Sequence, residues 1–286
     1  MKPAAFEYHA PATLLEAVDL LATADAAVIA GGQSLMPLLA FRLAAPSLLV
    51  DLRRVPDLDT IAINASGVRL GAKVRWCDIE RHDGLATTHP LLREGVSHVA
   101  HYAVRNRGTV GGSLAHADPA AELPGIAVAC DADIVLFGAS GERVVAAADF
   151  FTGPLSTARQ SNEIVTGLRL PAWPEKRRWA FREFAQRRGD FALAGVALWY
   201  DEDTLGRIGD AHVGVIGVSD RPRRLPMVEA MLNGETINDE LIREAAARAA
   251  QSVDPPTDLH ADPDYRRALV ATLVERALRA VNAAGH

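Results

Sequence analysis

The apolar residues of the first fifty positions change spacing several times along the chain. They recur at steps of three and four in two stretches, which is typical of amphipathic helices, and form short continuous runs in two others, which favours buried strands. In chain order the pattern predicts a helix at 14–21, a strand at 26–30 and a turn at Gly31 and Gly32. A second helix follows, capped by Ser34 and ended by Pro46, and its apolar residues are Leu35, Leu38, Leu39 and Leu43. A strand at 48–52 completes the series. Such an alternation indicates a small α/β unit.

The next hundred residues mix a hairpin, helices and further strands. Residues 60–75 alternate around a Ser-Gly turn, and this pattern predicts two antiparallel strands. Beyond them we expect mainly helix at 77–101 and at 120–129, and strands at 132–137, near 143–145 and at 163–170. These elements predict a second α+β unit that follows the first.

A stretch with two prolines and a charge run, at 171–178, is the predicted domain boundary. After it the pattern predicts strands at 179–184, 192–200 and 208–218, and helices at 239–251 and 265–283. Strands followed by helices indicate a separate α+β domain. The sequence therefore predicts domains at 1–175, with lobes at about 1–55 and 56–175, and at 176–286.

Composition narrows the class of protein. The chain has 286 residues, 49% of them hydrophobic, and a formal net charge of -6, which argues against a disordered chain and against a protein that binds nucleic acid through bulk positive charge. Its two cysteines, Cys77 and Cys130, are too few for an iron–sulfur site and too far apart for a CxxC zinc site. Because no apolar run is long enough to span a membrane, we expect a cytoplasmic protein.

Two glycine pairs are the strongest candidates for chemistry. They lie in the segments 30–34 (AGGQS) and 109–113 (TVGGS), each beside small hydroxyl residues. Glycine lets the backbone approach a bulky anion, and successive N–H groups can then donate to a phosphate. Neither segment matches GxGxxG or GxxxxGK[ST], so a Rossmann NAD site and a P-loop are disfavoured. The alternative interpretation is that each pair only makes a tight turn.

Four ordered motifs carry a resemblance to a known family. They are AGGQSLMPLL at 30–39, RNRGTVGGSLAHADPAAELP at 105–124, RRGDFALAGVA at 187–197 and DLHADPDYRR at 258–267. Together they resemble the FAD-binding medium subunit of the molybdenum hydroxylases, the family of carbon monoxide dehydrogenase and xanthine dehydrogenase. The resemblance implies an α+β fold in which a two-lobed FAD-binding domain (PCMH-type) precedes a smaller α+β C-terminal domain.

The resemblance also implies a set of cofactor contacts. In the family both glycine segments bind the FAD pyrophosphate through backbone amides. Glu122 matches an acidic position near the adenosine side, where a carboxylate accepts from ribose hydroxyls. The alternative for Glu122 is a solvated surface glutamate. The full set of implied FAD contacts comprises Ile29, Ala30, Gly31, Gly32, Gln33, Ser34, Leu35, Val99, Thr109, Gly111, Gly112, Ser113, His116, Glu122, Val165 and Phe191.

Phe191 departs from relatives that carry tyrosine after the Gly-Asp pair. Phenylalanine keeps a surface that can cover one face of the isoalloxazine but has no hydroxyl to donate. The alternative is that Phe191 belongs to the core of the second domain.

The remaining histidines and basic residues are better explained as structural or surface residues than as functional ones. Five histidines lie between His82 and His116, and His98 and His101 can share a helix face, but no metal-binding motif accompanies them. We therefore predict no metal site. The basic residues Lys176, Arg177, Arg178, Arg182, Arg187 and Arg188 are expected to form a solvated or partner-facing surface.

The resemblance implies an electron-transfer subunit without catalytic side chains of its own. In the family a large subunit carries the molybdenum cofactor, and a small subunit with two [2Fe-2S] clusters passes electrons to the FAD; a dimer of heterotrimers is expected. Two alternatives stay open, namely a self-contained flavin oxidoreductase and a non-catalytic assembly subunit. The substrate of the complex and its external electron acceptor are not specified by this chain.

Overall fold

The computed structural model describes residues 2–23 and 25–283 and confirms the predicted α+β architecture. The first lobe is a three-stranded parallel sheet with two helices. Its elements are β1 (Glu7–His9), α1 (Leu14–Thr23), β2 (Ala26–Ile29), α2 (Leu35–Ala40) and β3 (Leu48–Asp51). β3 lies in the middle, between β1 and β2. α1 buries Ala17, Val18 and Leu21, the apolar face that its spacing predicts.

The second lobe is built on a five-stranded antiparallel sheet in the order β4-β5-β10-β6-β7. Helices cover it, and α8 is buried along its whole length. The elements are β4 (Ile61–Asn64), β5 (Gly67–Gly71), α3 (Trp76–Arg81), α4 (Asp83–Thr88), α5 (Pro90–His98), α6 (Tyr102–Arg105), α7 (Val110–His116), α8 (Glu122–Ala129), β6 (Asp133–Gly138), β7 (Gly141–Ala146), α9 (Ala147–Phe150), β8 (Phe151–Gly153), β9 (Ser156–Thr157) and β10 (Ile164–Pro171).

The last part of the chain is a four-stranded antiparallel sheet, in sequential order, followed by three helices. The predicted order of strands and then helices is therefore correct. The elements are β11 (Arg178–Phe184), β12 (Ala194–Glu202), β13 (Ile208–Ile216), β14 (Arg223–Arg224), α10 (Pro226–Leu232), α11 (Asp239–Gln251) and α12 (Pro263–Ala283). α11 and α12 pack on each other and bury their apolar faces against this sheet.

The junction between the two halves is tightly packed. The indole Nε1 of Trp199 donates to the carbonyl of Ala129, at the end of α8, over 2.7 Å. The Arg177 guanidinium lies 3.6 Å from the centre of the Trp199 ring and donates twice to the Asp201 carboxylate, at 2.9 and 2.7 Å. Only 11% of the Arg177 side chain is exposed, so its placement in a solvated basic surface was wrong.

Several element boundaries differ from the sequence prediction. Helix α2 ends at Ala40 instead of continuing to Pro46, because Arg42 takes a left-handed conformation with φ of 57°, and Leu43 is exposed. Ser34 stands at the start of α2, but its side chain makes no capping hydrogen bond. The stretch 77–101 is divided into three helices, with a break before Pro90.

No helix in the described part of the chain has the length and hydropathy needed to cross a membrane.

Candidate functional site

One cavity of about 560 Å³ lies where the two lobes meet the loop between β11 and β12. All sixteen residues that the sequence singles out as cofactor contacts line it, although they come from six separate stretches of the chain. The cavity volume is in the range of cofactor-sized pockets. The fold therefore gathers the predicted contacts at one place.

The first glycine motif needs glycine for two different reasons. A Cβ on Gly31 would lie 2.0 Å from the carbonyl oxygen of Arg107, so residue 31 touches the backbone that leads into the second motif. Gly32 has a φ of 73°, a conformation that side chains disfavour. The glycines thus bring the two motifs into direct contact and turn the chain from β2 into α2.

A row of free backbone donors follows this turn. The N–H groups of residues 31–35 make no hydrogen bond to any residue that the structure describes. Gly31, Gly32, Gln33, Ser34 and Leu35 all line the cavity. Unpaired amides in sequence are the donors that a phosphate group binds. The first motif therefore presents a row of donors that suits an anion.

The second glycine motif is built differently. The N–H of Gly111 donates to Ala72 O at 2.9 Å, and that of Gly112 donates to Thr109 Oγ1 at 3.2 Å. A Cβ on Gly111 would lie 2.6 Å from the Cβ of Ala72, so close packing is what requires glycine there. These two amides already have acceptors, whereas the hydroxyls of Thr109 and Ser113 can still donate to a ligand.

Glu122 begins α8 and is buried at the cavity wall, so its interpretation as a solvated surface residue was wrong. Burial, with a smaller effect from the nearby Asp118 carboxylate, raises the pKa of Glu122 from 4.5 to about 7. The carboxyl group is therefore partly protonated near neutral pH. It can donate a hydrogen bond as well as accept one, which extends the acceptor role inferred from the sequence.

Phe191 lies in the loop before β12, at the edge of the cavity, and is 72% exposed. Its alternative assignment to the core of the C-terminal half was wrong. The loop is held in place by Gly189, whose φ of 89° and close approach to the His101 ring leave no room for a side chain. The exposed ring is free to cover a planar group inside the cavity.

The remaining predicted contacts contribute apolar side chains and one imidazole to the cavity wall. Val99 directly follows α5, Val165 lies in β10, and Ile29 ends β2; all three line the cavity. His116 is the last residue of α7. The sequence missed Arg159, which also lines the cavity. No motif surrounds Arg159, and only the fold brings the segment before β10 to this site.

Neither the cysteines nor the histidines form a metal centre among the described residues. Cys77 and Cys130 are both buried and unpaired. His98 ends α5 whereas His101 precedes α6, so the two do not share a helix face as predicted.

Comparisons with known proteins identify the family. The family model "FAD binding domain in molybdopterin dehydrogenase" matches residues 4–173, and "CO dehydrogenase flavoprotein C-terminal domain" matches residues 179–281. The nicotine 6-hydroxylase medium subunit of Paenarthrobacter nicotinovorans is 37% identical over 97% of this chain and 98% of its own length.

Two solved structures share the whole fold. Carbon monoxide dehydrogenase from Hydrogenophaga pseudoflava superposes with a TM-score of 0.96 at 36% identity, covering 99% of both chains. Quinoline 2-oxidoreductase from Pseudomonas putida 86 gives a TM-score of 0.95 at 38% identity over 100% of both chains. The chain belongs to the FAD-binding medium subunits of the molybdenum hydroxylases, the family of carbon monoxide dehydrogenase and xanthine dehydrogenase, and is an oxidoreductase subunit.

Proposed function

We propose that the cavity between the lobes holds one FAD along the sixteen residues that the sequence singles out. The observation that carries the proposal is the row of unpaired amides at residues 31–35, which suits the pyrophosphate. The Thr109 and Ser113 hydroxyls lie on the same cavity and complete the donor set. The flavin ring is then placed beside Phe191, and the partly protonated Glu122 exchanges hydrogen bonds with cofactor hydroxyls.

The work of this chain is to hold and expose a redox group. When bound, FAD accepts and releases electrons, while the protein supplies position, local charge and access. No acid–base pair of side chains is needed for that task, so we assign no catalytic residue. The domain boundary near 171–178 separates the two halves that enclose the cavity.

Partner subunits supply the remaining redox centres in this proposal. Two buried, unpaired cysteines cannot ligate a cluster, so electrons have to reach this chain from another one. We place two [2Fe-2S] clusters on a small subunit and the molybdenum cofactor on a large one, within a dimer of heterotrimers. The reduced cysteines also support a cytoplasmic location.

The substrate is recognised elsewhere in the complex. Relatives named for nicotine, carbon monoxide and quinoline resemble this chain over nearly its whole length. A fold so well shared across such different molecules supports a substrate pocket on the large subunit.

Reconstitution of the complex tests the electron route. When all three subunits are present, substrate added without oxygen is expected to bleach the flavin absorption at about 450 nm. The bleaching should correspond to reduction of roughly one FAD per heterotrimer. This chain alone, given the same substrate, serves as the control, and its flavin should stay oxidised. Bleaching in that control would favour the alternative of a self-contained flavin oxidoreductase.

A further inference from the structure

The charged side chains of the cavity wall are carboxylic, with one exception. Four carboxylic residues line it, Asp118, Glu122, Glu163 and Asp190, and Arg159 is the only lysine or arginine among the described lining residues. The FAD pyrophosphate carries two negative charges. A buried dianion next to carboxylic side chains needs a compensating cation. Arg159 is the lining residue that can supply it.

The Arg159 guanidinium is anchored by one nitrogen. Its Nη1 donates to the carbonyls of Gln160 and Glu163, both at 2.8 Å, with a longer contact of 3.4 Å to Ser161 O. Within the described part of the chain, Nε and Nη2 make no hydrogen bond. Three N–H donors of a fixed, partly buried cation therefore stay available to a ligand.

The neighbouring Glu163 carboxylate makes its side-chain hydrogen bonds with Arg143 and not with Arg159. Glu163 is engaged by Arg143, whose Nη2 lies 2.7 Å from Oε2, and by the N–H of Gln160 at 2.7 Å. The hydrogen bond from Arg143 holds the pKa of Glu163 below its usual range. Arg143 also donates to Ala158 O at 2.9 Å, so the turn that presents Arg159 is fixed from behind.

The segment 159–164, which carries Arg159, adjoins the first lobe at the cavity wall. The residue that follows its turn, Ile164, packs into the apolar cluster of the first lobe with Leu21, and both line the cavity. Phe191 belongs instead to the loop held against His101. With the flavin beside Phe191 and the pyrophosphate on residues 31–35, the opposite end takes the adenosine part of the cofactor.

We infer that Arg159 binds the adenosine monophosphate half of FAD and makes the site prefer FAD to FMN. The inference rests on the proposed FAD site. The guanidinium donates to phosphate or adenine acceptors of that half, which FMN lacks, from a turn that needs little reorganisation on binding.

Titration of the flavin-free full-length chain with FAD, FMN and ADP tests this inference. Loss of a charge-assisted hydrogen bond is expected to weaken FAD and ADP binding in Arg159→Leu by about tenfold or more. FMN affinity should change by less than about twofold, since FMN does not reach residue 159. The FAD affinity of Arg159→Lys, which keeps the charge, should lie between those of the wild type and Arg159→Leu.

Arg169→Leu is the matched control, because it removes the same charge from a surface pair with Glu142 outside the cavity. Unaltered FAD affinity in Arg159→Leu, or an equal loss for FAD and FMN, would overturn the inference. A wild-type chain that binds no FAD would instead contradict the proposed function. Equal melting temperatures of the variants exclude misfolding as the cause.

Discussion

Residue 31 is a cavity-lining position where the fold leaves no room for a side chain. In Gly31→Ala the new Cβ would meet backbone atoms of Arg107 at 2.0 and 2.8 Å, and backbone cannot rotate away as a side chain can. The first motif has to move, and its row of free amides moves with it. We expect FAD affinity to fall by about a hundredfold or more, measured by flavin fluorescence quenching.

Gly153→Ala provides the comparison for that variant. Residue 153 lies outside the cavity wall, and its new Cβ would come no closer than 4.0 Å to Ser156. FAD binding should therefore stay at the wild-type level. If Gly31→Ala also retained wild-type affinity, the assignment of the anion site to this motif would be wrong.

The raised pKa of Glu122 predicts that the stability of the flavin-free chain depends on pH. Its folded-state pKa of about 7 exceeds the ordinary 4.5, so the folded state holds a proton that the unfolded chain has already released. The free energy of unfolding therefore falls as the pH rises from about 4.5 to 7, by on the order of 3 kcal/mol, and is level above that range.

Glu122→Gln should remove this contribution. Denaturant unfolding at pH 5 and pH 8, followed by circular dichroism, should show a smaller loss of stability in the variant than in the wild type. The pKa of half-buried Glu183 is raised to about 8 by burial and, to a smaller extent, by the Glu122 carboxylate, so Glu183 adds a slope of the same sign that is smaller in Glu122→Gln. Glu175→Gln, at an exposed position, is the control; parallel profiles for Glu122→Gln and the wild type would refute the prediction.

At the scale of elements, hydrophobic spacing predicts the long helices and buried strands well. α11 is predicted with its observed bounds, and α12 starts two residues before its prediction, because each buries a regular apolar stripe. Short elements without such a stripe are not predicted from hydrophobic spacing. β1 is exposed at all three of its residues, and α7 begins inside a glycine-rich segment.

The two glycine motifs show why similar sequences do not guarantee similar chemistry. Both were expected to donate backbone amides to a pyrophosphate. The amides of the first are free, whereas Gly111 and Gly112 donate to Ala72 and Thr109 of the protein itself. Residue 72 is nearly forty positions away in sequence. Local sequence therefore marks where the backbone comes close to another group, while only the tertiary fold decides whether that group is protein or ligand.

At the scale of the whole molecule, the two halves share one packed junction beside one cavity. Motif resemblance identifies the family and selects residues that all line the cavity, but it passes over Arg159, and the charge pattern led to the expectation that Arg177 lies on a solvated or partner-facing surface. Both errors concern arginines, whose roles depend on partners that are distant in sequence: Asp201 for Arg177, and the cavity for Arg159.

The central claim is that this chain alone holds FAD and no other redox centre. The most direct test is to purify the full-length chain without partners, incubate it with FAD, remove the excess and measure released cofactor together with iron and molybdenum. We expect about one FAD per chain with a flavin absorption band, and neither metal. A folded chain that retains no FAD, or one that binds iron in stoichiometric amount, would contradict it.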